Sequence, residues 1–215
     1  MTVRAVVFDV GETLVDETRA WSAWADYLGI PRLTFLAGLG AVIARGGDHT
    51  EVFDFFRPGL DISAVLADPA AGELRDTVRA EDLYPDALPC LAALAAAGYR
   101  LGVVGNQPSG AEAIFRDGPV PIELVASSAT WGVAKPDPAF FARILAELDL
   151  PPGAVAYVGD RLDNDVSPAA RAGMVAVFIR RGPWAWIQAG RTDPTDTAIV
   201  IESLAELSEA LSDTS

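Results

Sequence analysis

At 215 residues and 51% hydrophobic content, the chain suits one ordinary domain, or a core with a small insert, and supports a real apolar core. Its net charge of −14 makes nucleic acid and anionic membrane poor partners, and no run approaches the ~20 apolar residues of a membrane span. A single histidine, His49, excludes a two-histidine metal site, while a single cysteine, Cys90, excludes an internal disulfide and fits a reducing cytosol.

Residues 4–16, RAVVFDVGETLVD, open the chain. Ala5-Val6-Val7-Phe8 is a short β-branched run that reads as a buried strand, and Asp9 stands at its end. The chain starts on this strand, which leaves no signal-peptide pattern. After Asp16 the pattern turns helical: Trp21, Trp24, Ala25 and Leu28 share one face, and Gly29 and Pro31 end the segment. Leu36, Leu39 and Ile43 repeat that spacing up to Gly46-Gly47. Val52, Phe53 and Phe56 suggest a third helix before Pro58-Gly59, and a polar helical stretch, 72–82, leads to Tyr84-Pro85. Nothing between 17 and 83 reads as a strand.

From Pro85 the chain alternates. Leu88, Leu91 and Leu94 give a helix stopped by Gly98, and Cys90 in the same run reads as core. Residues 100–104 form a strand ending at Gly105-Asn106, then come a helix near 110–116 and a weaker strand at 123–126. Asp137-Pro138 starts a helix whose apolar face is Phe141, Ile144, Leu145 and Leu148. Residues 154–158 are a strand ending in Gly159-Asp160, and Val175–Ile179 is another. Residues 212–215 read as frayed. Strands alternating with helices predict an α/β fold, a doubly wound parallel sheet covered on both faces.

Asp9, Asn106 and Asp160 therefore stand at strand ends on one edge of the sheet, where open α/β folds place their ligands. Asp163 and Asp165 follow in GDRLDND, and Lys135 lies in AKPDP. Lys135 is the only lysine beside 15 arginines, so a compact ammonium is required there in a chain that otherwise uses guanidinium. Asp9, Asp160 and Asp165 offer the hard oxygen ligands that Mg²⁺ prefers; the same residues would also serve as helix caps or in an Asx-turn. A calcium loop lacks its turning glycine.

Four motifs, FDVGETL, LGVVGNQ, AKPDP and VGDRLDND followed by VSPAARAGM, resemble in order and spacing those of the haloacid dehalogenase-like (HAD) hydrolase superfamily. The resemblance covers nearly the whole chain. It implies a Rossmann-like core, 1–15 and 84–215, with a small α-helical cap, 16–83, hinged near Val15-Asp16 and Leu83-Tyr84. It implies a cytoplasmic phosphatase in which Asp9 attacks a phosphoryl group to form an aspartyl-phosphate. Mg²⁺ would be held by Asp9, the Gly11 carbonyl and Asp160, with Asp165 next to it or acting through water. Lys135, Asn106 and the backbone at Gly105 would orient the phosphoryl oxygens of a small phosphorylated molecule.

Two positions depart from that pattern. The family's usual acid–base aspartate is replaced by Gly11, a loss typically worth roughly 10²- to 10⁴-fold; Glu12 is the nearest substitute. The usual hydroxyl of the second motif is missing at Gly105. Two alternatives to a slow phosphatase thus stay open: a non-catalytic phospho-ligand binder, and a metal-independent dehalogenase. Arg19, Arg32, Arg45 and Arg57 are candidates for contacting an anionic substrate. Trp184 and Trp186, read as a loop after a strand, suggest core packing, a substrate wall or a subunit contact, so a homodimer is also left open.

Overall fold

The computed structural model describes residues 2–75, 78–190 and 198–212. Asp213–Ser215 of the frayed C-terminus, and residues 76–77 of the polar stretch, lie outside the described residues. The chain divides into two compact units, one of Met1–Asp16 with Leu83–Ser215 and one of Glu17–Asp82.

The larger unit is built on six parallel strands: β1 (Ala5–Phe8), β2 (Arg100–Gly105), β3 (Leu124–Ser127), β4 (Val155–Gly159), β5 (Val175–Ile179) and β6 (Ile199–Ile201), in the order β3-β2-β1-β4-β5-β6. Every residue of β1 and β4 is buried, as expected for strands covered on both faces, which read as continuous apolar runs. The chain winds outward from β1 through β2 to β3, then returns to β4 on the other side of β1. The winding reverses between β1 and β4, so their carboxyl ends form the crevice of the sheet. Residues Phe8 and Val158 are paired in register, which brings Asp9 and Asp160 out side by side.

In chain order the helices are α1 (Thr18–Leu28), α2 (Arg32–Ala44), α3 (Glu51–Phe56), α4 (Ile62–Ala67), α5 (Gly72–Arg75), α6 (Ala87–Ala96), α7 (Glu112–Arg116), α8 (Ser128–Trp131), α9 (Pro138–Leu148), α10 (Ser167–Arg171), α11 (Gly182–Ala189) and α12 (Leu207–Ser212). Helix α9 starts as its sequence predicts: the Asp137 carboxylate accepts from the Ala139 N–H, with Pro138 in the first turn. Phe140, Phe141, Ile144 and Leu148 then pack on Val7, Val155, Tyr157 and Phe178 in the main core. Helix α6 buries Ala87, Cys90, Leu91 and Leu94, which leaves Leu88 about one-quarter turn off the apolar face and exposed, against its expected inward position. Burial pushes the Cys90 thiol up to about 12.

The tryptophan segment is the clearest correction. It is helix α11, not a loop, because Gly182-Pro183 opens a helix at its first turn instead of breaking one. Two residues apart on a helix lie on opposite sides, so Trp184 is buried while Trp186 is 62% exposed.

The smaller unit, Glu17–Asp82, is all helix and turn among its described residues. Its interior is aromatic: Trp24 and Phe53 rings lie 4.5 Å apart and Phe35 stacks on Phe56 at 5.5 Å. Arg19 near its start grips Asp82 at its end with three hydrogen bonds of 2.6–3.1 Å. The other arginines considered for substrate are also engaged within the unit: Arg32 with Asp26, Arg45 with Glu51, and Arg57 with the Leu28 carbonyl.

Candidate active site

The site is assembled from loops that follow β1, β2 and β4, together with the loop before α9. Asp9 leaves β1 with its N–H donating to the Val158 carbonyl at 2.9 Å, so its backbone is still part of the sheet. The loop then closes on itself: the Val10 carbonyl accepts from Thr13, Leu14 and Val15 N–H groups at 2.9–3.3 Å, and the Glu12 N–H donates to Val15. Gly11 sits inside this turn, two residues past Asp9.

Asp160 ends β4, and one turn of π-helix, residues Leu162–Val166, follows it. The Val166 N–H reaches back to the Arg161 carbonyl at 3.1 Å, and the Asp165 carboxylate accepts from the Arg161 N–H at 3.0 Å. Such single wide turns often occur at functional sites, where they re-aim a side chain. Here the turn folds Asp165 back under the strand end. Gly159 is required for this: a Cβ there would lie 2.5 Å from the Asp165 side chain.

Oxygens of Asp9, Asp160 and Asp165 lie within 4.8 Å of one another, and all three residues are buried. Lys135 is buried among them, its Nζ 2.6 Å from Asp9 Oδ1 and 2.5 Å from Asp165 Oδ1. Burial disfavours the ammonium, but Asp165 and Asp9 outweigh it and hold its pKa well above the ordinary lysine value. Burial, with the charges of Asp165, Asp9 and Glu12, drives the Asp160 carboxyl far above the usual carboxylate range. Burial also lifts Asp165, against the opposing pull of Lys135, up to about 6.

This donor set fits a divalent cation. Three buried carboxylates face one ammonium, so negative charge is left uncompensated, and the buried Asp160 Oδ2 has no hydrogen-bond partner among the described residues. Burying such an atom is costly unless something else satisfies it, and an oxygen-rich cluster of this kind suits Mg²⁺.

Asn106 has a task beyond the one its motif implies. Its Nδ2 donates to the Lys135 carbonyl at 2.9 Å and its Oδ1 accepts from the Lys135 N–H at 2.8 Å. One of its two N–H groups and its oxygen thereby fix the lysine's backbone, and a second N–H is left for a phosphoryl oxygen. At Gly105 the missing side chain has a counterpart: a Cβ there would lie 2.5 Å from Asp9 Oδ1, so Asp9 occupies the room that a side chain would need.

Glu12 is buried with φ +52°, a conformation unusual for a residue with a Cβ. Its Oε2 accepts from Tyr84 Oη at 2.7 Å, and its side chain packs against Gly182. The Arg181 guanidinium lies 4.1 Å from the Tyr84 ring centre and donates to the Thr13 carbonyl at 3.1 Å. Burial and the Glu12 charge raise the Tyr84 phenol well above its ordinary value. Glu12 is thus fastened to the side wall of the loop.

Tyr157 was not among the residues read from the sequence. It is fully buried in β4, passes under β1 to donate its Oη to the Val104 carbonyl at 2.9 Å, and places its ring 5.6 Å from Lys135 Nζ. A tyrosine in an otherwise apolar buried strand was the available signal, because its hydroxyl needs a partner.

A parallel sheet with a buried carboxylate cluster and a lysine at its switch point is where open α/β enzymes place their ligands. The chain belongs to the haloacid dehalogenase-like hydrolase family, whose model matches residues 3–173. It is 34% identical over 204 residues to a glyceraldehyde 3-phosphate phosphatase of Methanopyrus kandleri, covering 85% of this chain and 86% of that protein. Among solved structures it is similar to a HAD phosphatase from Thermococcus onnurineus (25% identity, TM-score 0.62, 97% and 98% of the two chains). It shares its fold equally with a 2-haloacid dehalogenase from Pseudomonas syringae pv. Tomato (22% identity, TM-score 0.63, 100% of both chains), so fold alone does not choose between the two chemistries. No single helix among the described residues is long and apolar enough to cross a membrane.

Proposed function

We propose that the protein is a cytoplasmic, Mg²⁺-dependent phosphatase of small phosphorylated metabolites, working through an aspartyl-phosphate on Asp9. The observation that carries this reading is the buried Asp9–Asp160–Asp165 cluster around the Lys135 amine. A carboxylate nucleophile in a dehalogenase needs no such surplus of buried negative charge.

In this mechanism an Asp9 oxygen attacks phosphorus, the bond from phosphorus to the leaving oxygen breaks, and that oxygen departs with the bonding pair. Water then attacks the phosphorus of the acyl phosphate, releasing inorganic phosphate and regenerating the Asp9 carboxylate. Lys135 holds positive charge beside Asp9 and the phosphoryl oxygens, and Asn106 keeps the lysine's backbone in place. Asp9, the Gly11 carbonyl and Asp160 would hold Mg²⁺, with Asp165 beside them. The bound cation would neutralise charge on the phosphoryl group and on the carboxylates.

Gly11 carries no group to protonate the leaving oxygen, and Glu12 is hydrogen-bonded to Tyr84. The leaving oxygen therefore takes its proton from water, so acyl and aryl phosphates turn over best. The relative named for glyceraldehyde 3-phosphate makes three-carbon phosphates the first physiological esters to assay.

The test is phosphate release from a panel of such esters with Mg²⁺, wild type against Asp9→Asn. Release is expected only with Mg²⁺ and should fall by roughly 10⁴-fold or more in the variant, the scale seen when a covalent nucleophile is removed. Ester binding without turnover would instead identify a binder. Halide release from 2-chloropropionate, insensitive to EDTA, would identify a dehalogenase.

A further inference from the structure

We propose that Gln188, on helix α11, is a positioning residue that sets the divalent-cation affinity of the site by locking the loop after β4. This rests on the metal reading above and adds to it a residue outside the four motifs.

At its outer side the loop carrying Asp160 and Asp165 is held by a polar side chain of α11. Gln188 Oε1 accepts from the Leu162 N–H at 2.7 Å, and Gln188 Nε2 donates to Asp163 Oδ1 at 2.8 Å. The side-chain amide therefore closes a ring with two consecutive residues of the π-turn. Asp163 in turn holds Arg161 through two hydrogen bonds of 2.9 and 3.2 Å, and the Arg161 guanidinium lies over the Trp184 ring at 5.3 Å. Arg161 supplies the N–H that Asp165 accepts. The chain of contacts runs from Gln188 to the carboxylate without a gap.

The other end of α11 meets the other half of the site. Arg181 donates to the Thr13 carbonyl, and a Cβ on Gly182 would lie 2.5–2.7 Å from Glu12. At ~1.5 Å of rise per residue the helix is a rigid strut of about 12 Å. It touches the loop after β1 at its start and the loop after β4 at its end. Apolar burial of Trp184 and Ala185 already docks the helix, so the Gln188 hydrogen bonds are not needed for that task. Direct partners of metal ligands fix ligand direction, and their loss commonly weakens metal binding by about 10- to 100-fold; Gln188 acts further out, through Asp163 and Arg161, so the low end of that range applies to it.

The experiment is a Mn²⁺ titration followed by electron paramagnetic resonance on the full-length wild type, Gln188→Met and Gln188→Asn. Methionine keeps the volume and removes both hydrogen bonds; asparagine keeps the amide but is one methylene too short to reach both partners. Near-ultraviolet circular dichroism and Tm establish that each variant is folded. The expected result is a Mn²⁺ Kd raised by about 10-fold in a folded variant, with kcat returning toward wild type at saturating Mn²⁺. An unchanged Kd in either folded variant, whatever its Tm, overturns the proposal. If wild type shows no saturable Mn²⁺ binding, the metal reading fails and the proposal falls with it. That outcome is distinct from wild-type binding that Gln188→Met leaves unaltered.

Discussion

The loops after β1 and after β4 stand side by side and are built on different principles. The first is closed by its own main chain, with the Val10 carbonyl accepting from three successive N–H groups. The second has main-chain bonds as well, the Arg161 carbonyl accepting from the Asp165 and Val166 N–H groups, and adds side chains to them: Asp165 on the Arg161 N–H, and Gln188 on Leu162 and Asp163. A turn held by backbone bonds keeps its shape whatever its side chains are. That is how the loop after β1 keeps its turn with Gly11 two residues past Asp9. A turn that also leans on side chains is sensitive to each of them.

The largest expected effect comes from removing the charge the two loops share. Lys135→Met leaves Asp9 and Asp165 buried without a counter-charge, and breaking a buried ion pair this way costs about 3–5 kcal/mol. Urea unfolding without metal should show that loss, and added Mg²⁺ should restore part of it.

A smaller effect belongs to the loop after β4 alone. With the Asp165 carboxyl lifted to about 6 from an ordinary 3.8, the metal-free native state binds more protons than the unfolded chain between those values. Stability from this group is therefore complete below pH 4 and is lost as pH rises through 6, on the order of 3 kcal/mol at 1.36 kcal/mol per unit. Tm measured across pH 4–7 should fall in EDTA, and the slope should flatten in Mg²⁺.

The smallest effect probes the loop after β1. Gly182→Ala forces a Cβ into Glu12 at a residue with φ +71° and should cost about 1–3 kcal/mol. Adding Glu12→Gly to the same chain removes the obstacle and the Glu12 backbone strain but leaves alanine at φ +71°, so the double variant should regain part of the loss. If it does not, the loop after β1 relies on Glu12 more than its main-chain bonds imply.

Much of this was legible in the sequence where a single physical signal dominated. β1, β2 and β4 are apolar runs that end in glycine or beside an acidic or amide residue, β5 is an unbroken apolar run before two arginines, and Asp137-Pro138 announces α9. β6 was not read, because Ile199–Ile201 is three residues long, too few for any periodicity to register. Helix α4 was missed because it buries none of its residues, so it has no apolar stripe to detect. Helix α11 was misread because proline after glycine signals a turn as strongly as a helix start. At the site, residue types and strand ends pointed to Asp9, Asp160, Asp165 and Lys135. The partners that hold them, Asn106 on the Lys135 backbone, Gln188 on the π-turn and Tyr157 beneath β1, were hidden because contacts between distant residues leave no spacing to read.

The paired hydrogen bonds between Asn106 and the main chain of Lys135 reproduce, with one side chain, what a neighbouring strand would do. They splice the amine's loop onto the end of β2, so the intervening residues 107–134 need not supply the registration themselves. The loops on either side of β3 can then change length over generations while the ammonium stays put, whereas β3 itself, with Ala126 buried, cannot.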